Sequence, residues 1–367
     1  MKSTLKPLVI FSVGALLGGC ALMGGGEKPQ PKYDESAGVA AQAQQFIEIK
    51  NKKANKNVTR VALTTCQVAF AVKQSGGSQT SGHIFDNRDY TVEAKVSQHY
   101  HLKGVTDAEL QAITDRVCSQ GEQQLSAAGF DVMPAASLIK TSEFQDLKES
   151  GKDSPLKFKV KSTEYSVFAP TGYRVTDEAT ANAGLTGGLT NAFKQMGGAN
   201  PASKEATLAH RLGVTPARLM FVVDMASITE NKKGLLGMNQ TAMVEGKVNL
   251  QVGGTLMLVP PGKMSQTMPG SDKWTYGAHM VPTYFTKHAL FTDEAFYSSV
   301  EDSTTTGDKV SDGITTALGY LSALGGGTGK KSKTSRYDVN VVPDKFSALI
   351  LKNGMNFVDM AAYSAKQ

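Results

Sequence analysis

Hydrophobic and polar residues alternate most regularly over Met243–Val259. Val244, Val248, Leu250, Val252, Leu256 and Leu258 share one side, and Glu245, Lys247, Asn249, Gln251 and Thr255 the other. A period of two predicts a strand with one buried face, and Pro260-Pro261-Gly262 closes it. The apolar run Leu219–Met225, with Met220 and Val222 inside it, predicts a buried strand just before. Val61, Leu63, Val68, Phe70 and Val72 predict an earlier strand starting near Val58, and Tyr90–Leu102 a more loosely alternating one. The spacing changes to helical over Thr106–Ala128, where Leu110, Ile113, Val117, Gly121 and Leu125 mark one face. Thr106 and Glu109 fit a capping box, and Gly129 supplies a left-handed stop. A turn and short strand follow over Gly129–Met133, then a helix over Ala135–Glu149. Asn200–Leu212 reads as a further helix, with Asn200 as N-cap and Pro201 at the first helical position. Strand-like pieces lie between Trp274 and Tyr297, and a last helix over Met355–Ala365.

These elements predict an α/β or α+β architecture, a mixed sheet with helices packed on it and extra strands near the C-terminus. Two glycine-rich stretches, Gly184–Gly198 and Gly313–Gly327, resemble each other. Leu185, Leu189, Phe193 and Met196 fall on one helical face, as do Ile314, Leu318, Leu321 and Leu324. At about 14 residues each is too short to span a bilayer; core-facing and interfacial helices both stay open. With 367 residues, 40% hydrophobic and 20% charged, the chain is neither disordered nor multispanning.

The N-terminus suggests an address. Lys2 and Lys6 precede an apolar run, Leu8–Leu17, that ends in Leu17-Gly18-Gly19-Cys20. This resembles the lipobox of bacterial lipoprotein signal peptides. The resemblance implies cleavage before Cys20, acylation of Cys20 by diacylglycerol and palmitate-type chains, and a protein anchored to the membrane rather than spanning it. Ala21 stands where an inner-membrane retention Asp would be, so the expected location is the outer membrane, facing the periplasm. The expected plan is a signal peptide over 1–19, a lipidated tether over 20–56, a periplasmic domain over 57–300 and a C-terminal extension over 301–367. That extension would hold a Gly-rich helix and a terminal strand and helix. Cys66 and Cys118 then remain as an even pair in an oxidising compartment, expected to form a disulfide, with two buried thiols as the alternative. The formal net charge of +6 falls to +4 without Lys2 and Lys6 of the expected signal; that mild excess is read as solubility or contact with anionic envelope components, and the compartment excludes nucleic acid as a partner.

Local chemistry is sparse. Gly325–Lys331 looks at first like a phosphate loop, but Lys331 stands where a Ser or Thr must ligate magnesium. His99 and His101 share one side of a strand, a geometry able to bind zinc, yet no acidic or cysteine partner has ligand spacing nearby. Asp224 and Glu230 border an apolar strand without a motif that would make them a catalytic pair. No nucleophile elbow or metalloprotease motif occurs. The expectation is a protein with no enzymatic activity, no cofactor and no metal.

Several segments together resemble lipoproteins with a TolB N-terminal-like domain, namely the curli-secretion lipoproteins and the outer-membrane activators of penicillin-binding proteins. They are Arg60–Leu63, Leu125–Val132, Ala135–Leu147, Leu208–Gly213 followed by Leu219–Val223, and Met243–Val259. The resemblance covers roughly 57–300 and implies a periplasmic domain that binds periplasmic or outer-membrane proteins in envelope assembly, secretion or scaffolding. In the curli-secretion branch, amphipathic strands from several subunits build one outer-membrane pore. The alternative is therefore a homo-oligomeric secretion pore using the 220–259 hairpin, with Met220, Val222, Val244, Val248, Leu250, Val252, Leu256 and Leu258 as its membrane or interface residues. An envelope hydrolase is a third reading, which requires a cleft with clustered carboxylates.

Overall fold

The computed structural model describes residues 31–52, 58–83, 91–176, 201–235, 238–277, 281–304, 316–322 and 330–367. Cys20, the Gly184–Gly198 stretch, Asn200 and Gly325–Gly329 lie outside them. In chain order the elements are α1 (Gly38–Phe46), β1 (Ile47–Lys50), β2 (Arg60–His83), β3 (Thr91–Lys103), α2 (Asp107–Ala127), β4 (Asp131–Met133), α3 (Ala135–Leu138) and α4 (Ser142–Glu149). Then come β5 (Leu156–Val160), β6 (Thr163–Phe168), α5 (Pro201–Leu212), β7 (Thr215–Leu235), β8 (Met238–Leu258), β9 (Met264–Gln266), β10 (Trp274–Tyr276) and β11 (Thr283–Thr286). The chain finishes with β12 (Leu290–Phe291), β13 (Tyr297–Asp302), β14 (Thr316–Ser322), β15 (Lys330–Val341) and α6 (Pro343–Lys366).

One large mixed sheet runs in the order β1-β11-β8-β7-β2-β3-β15-β13, with β12 and β14 added on β8, β4 and β6 on β2, and β5 on β6. β2 is parallel to β7 and to β4, and β3 is parallel to β15. The central strands are covered on both faces, so they read as continuous apolar runs: Val61, Ala62 and Leu63 are all buried. On one face, Val61, Val68, Phe70, Leu219, Phe221 and Val223 pack against α1, α2 and α6. On the other, Ala62, Leu208 and Val214 join α3 and α4, while Ala202, Ala206, Met257 and Tyr276 seat α5. The mixed α/β architecture expected from the sequence is therefore present as three layers.

The long helix α2 forms as its pattern demands. The Glu109 N–H donates to Thr106 Oγ1 at 3.3 Å, and the Thr106 N–H donates back to Glu109 Oε2 at 2.7 Å. Gly129 adopts φ +89°, the left-handed stop. Leu110, Ile113, Val117, Gly121 and Leu125 are all buried. Cys66 and Cys118 are disulfide-bonded, tying β2 to α2 with Cα atoms 5.9 Å apart.

Four expectations change. The stretch over 31–50 is not tether: α1 packs Ala43 and Phe46 into the core, and β1 pairs with β11 from Ile47/Thr286 to Lys50/Thr283. A few apolar residues at helical spacing suffice there, because the neighbouring sheet edge and α6 offer them a surface. Ala135–Glu149 is two helices, since Thr141 leaves the helical path and its hydroxyl accepts the Phe144 N–H at 3.2 Å as a new N-cap. Thr316–Ser322 is not a helix but strand β14, paired with β8 from Thr316/Lys247 to Ser322/Thr241. Its backbone groups find partners along β8, which local periodicity cannot register. Finally, the C-terminal segment completes the core rather than extending it. The helix α6 starts at Pro343, twelve residues before the expected Met355, and buries Phe346, Ile350, Phe357, Val358 and Ala361. Residues 31–367 form one compact unit.

Candidate functional site

The sheet forks, and the fork follows from where its parallel pairing stops. β2 and β7 pair from Val61/Thr215 to Phe70/Val223. From Lys73 onward β2 pairs with β3, out to His83/Thr91. β7 continues with β8, from Ala226/Val248 to Leu235/Met238. Two hairpin arms thus run about ten residues beyond the shared pairing, roughly 33 Å at the usual rise of a strand. β15 widens the first arm, parallel to β3 from Lys330/Glu93 to Asn340/Lys103. β14 widens the second arm along β8.

Where β7 leaves β2, one side chain takes over the lost pairing. Gln74 is buried, and its Oε1 accepts the N–H groups of Met225 at 2.8 Å and Ala226 at 3.0 Å. Its Nε2 donates to the Ala226 carbonyl at 3.3 Å. The register of β7 against β8 shifts between Asp224 and Ala226, at the same place. A little further along, fully buried Gln98 donates to the Val244 carbonyl at 3.3 Å, and the Tyr100 hydroxyl donates to Gln98 Oε1 at 3.1 Å. Tyr100 stacks on Tyr337 with ring centroids 5.2 Å apart, so β3, β8 and β15 meet there. Burial raises the Tyr100 hydroxyl above its ordinary pKa.

Strand edges on the second arm carry a single pairing among the described residues. There, Ser227–Leu235 of β7 and β14 each have β8 as their strand partner. Such edges present unpaired N–H and C=O groups and are templates for strand addition. The faces at the root of the second arm are polar, with Glu245 and Lys247 exposed. On the first arm Lys95, Lys333 and Arg336 are exposed. Burial, then the charges of Arg336, His101 and Lys73, lowers His99 below the usual imidazole range. His101 lies 3.3 Å from Asp338. Among the described residues no group of three His, Cys, Asp or Glu side chains is placed to hold a metal.

The eight hairpin residues singled out by pattern go to three places. Leu250, Val252, Leu256 and Leu258 sit in the central core, with Val248 at its margin. α6 crosses β8 at Gly254, where the Phe357 ring lies against the backbone and a larger residue has no room. Val222 and Met220 lie on the opposite face, packed with Ala69, Ala71, Tyr165 and Val167. Val244 is further out along the arm, where its carbonyl accepts from Gln98 of β3. Among the described residues no helix is long and apolar enough to cross a membrane, which says nothing of strands.

Two polar clusters have partners that the pattern did not show. Asp224 accepts a hydrogen bond from the Tyr165 hydroxyl at 3.0 Å, and burial raises its carboxyl to about 6 against the opposing effect of that bond. The side chain of Glu230 lies outside the described residues, so the suspected carboxylate pair has one described member. Behind the sheet, buried Arg218 donates from Nε to both Glu205 oxygens at 2.9 and 2.8 Å. The Tyr276 hydroxyl donates to the same carboxylate at 2.5 Å, and Thr64 donates to its other oxygen. Glu205 was visible as a charged residue between Ala202, Ala206 and Ala209 on the core-facing side of a helix. Gln74 carries no such sign. No protein-family model, curated protein or solved structure matches the chain.

Proposed function

We propose that this chain is a non-enzymatic lipoprotein of the outer membrane, anchored through Cys20 and facing the periplasm. It binds periplasmic or outer-membrane proteins in envelope assembly, secretion or scaffolding, and the forked arms are its binding surface. The observation that supports this reading most is the pair of strand edges on the second arm, Ser227–Leu235 of β7 and β14, each with β8 as its one strand partner among the described residues. Strand addition from a partner satisfies those edges without disturbing the layers beneath.

The second reading is a homo-oligomeric secretion pore. It is supported by arm length, since roughly 9–11 tilted residues cross a bilayer as a strand. Against it stand the exposed Glu245 and Lys247 at the root of the arm and the buried position of Leu250–Leu258. Light scattering and negative-stain microscopy of the full-length acylated protein in mild detergent separate the two. A monomer or dimer is the expected result; a closed ring with a central opening replaces partner binding with the pore.

A further inference from the structure

Away from the arms, a cleft of about 330 Å³ opens between residues 32–35, the turn after β12 and the middle of α6. Its size is within the range of small-molecule sites, about 300–1,000 Å³. Asn353 and Asn356 line it from α6, three residues apart and therefore on one side of the helix. Asn353 is 5% exposed, and the Nδ2 groups of both amides are buried without a hydrogen-bond partner. A buried donor left unmet is unfavourable, and two on one wall point to a ligand that supplies acceptors. Tyr33 and Phe291 add aromatic surface to the same cleft.

The charges narrow the ligand class. Lys32 pairs with Asp293 at 2.7 Å, and Lys352 with Glu35 at 2.9 Å and Glu294 at 4.0 Å. Lys247 also reaches Asp293 at 3.6 Å, so three cations are answered by three carboxylates, which leaves no net positive charge for a phosphate or carboxylate ligand. Amides offer donor and acceptor side by side, carboxylates accept from hydroxyls, and aromatic rings pack on C–H faces. Neighbouring hydroxyls on a pyranose ring match that set.

We propose that this cleft binds a neutral saccharide. Calorimetric titration of the full-length protein, in a detergent without a sugar headgroup, tests it with maltotriose and with chitotriose. Saturable binding of at least one trisaccharide is expected. Binding of chitotriose alone assigns the cleft to N-acetylated amino sugars, and binding of maltotriose assigns it to plain hexoses. Asn353→Leu is expected to weaken binding about tenfold or more while leaving the melting temperature unchanged or raised, because it removes an unmet donor at similar volume. Asn356→Leu, at a less buried position, gives the same comparison should Asn353→Leu fold poorly. No saturable binding of either sugar at about 1 mM and above, or undiminished affinity in both variants, overturns the proposal.

Discussion

Arg218 and Glu205 lie between α5 and the sheet, each 2% exposed or less. Their charges are tolerable only because each answers the other and Thr64 and Tyr276 fill the remaining lone pairs. Arg218→Met strands the carboxylate and is expected to cost roughly 3–5 kcal/mol in urea unfolding. Combining it with Glu205→Leu recovers most of that loss. Asp224 carries the opposite lesson, a carboxyl whose folded state favours the proton. With its folded pKa raised to about 6 from an ordinary 3.8, the unfolded chain releases the proton first as pH rises. The Asp224 contribution to stability is therefore fully present below about pH 4 and is lost as pH rises through about 6, by at most about 3 kcal/mol. Asp224→Asn keeps an acceptor for Tyr165 and is expected to remove this slope and to raise the melting temperature at pH 7.5. An unchanged pH profile in the variant excludes Asp224 as its source.

At the scale of elements, the fork is a conflict between two partners for β2, settled by one amide. Gln74→Leu preserves volume but leaves the N–H groups of Met225 and Ala226 and the Ala226 carbonyl without their side-chain partner. The expected cost is about 2–3 kcal/mol in urea unfolding. Amide exchange at Met225 and Ala226 should speed up more than in the central strands. If those amides exchange as slowly as in the unmodified protein, Gln74 does not hold the fork. The capped helix α2, by contrast, needs no such device: its box and glycine stop are local, and its disulfide to β2 adds a covalent tie.

At the scale of the whole molecule, the proposed anchor has a test of its own. Cys20→Ala is expected to release a folded protein from the membrane fraction into the soluble periplasmic extract. A Cys20→Ala protein that stays with the outer membrane shows that something other than acylation holds it there.

Much of the fold could be read in the chain because its causes are local. Alternation at period two placed β8, helical spacing with a capping box placed α2, and continuous apolar runs placed the roots of β2 and β7. The pairing of Cys66 with Cys118 was expected on compartment and number. What the chain by itself did not determine is where strands end and which partner each edge receives. The distal half of β2, Lys73–His83, is polar and glycine-bearing, so no apolar pattern marks it; it is a strand because β3 pairs with it. β14 reads as a helix until β8 supplies its backbone partners. Gln74, Glu205, Arg218 and the two asparagines of α6 carry their meaning only through groups distant in sequence. Periodicity reports which face of an element is buried. Hydrogen-bond satisfaction and charge pairing depend on what tertiary structure brings against that face, and they decided the fork, the buried pair and the cleft.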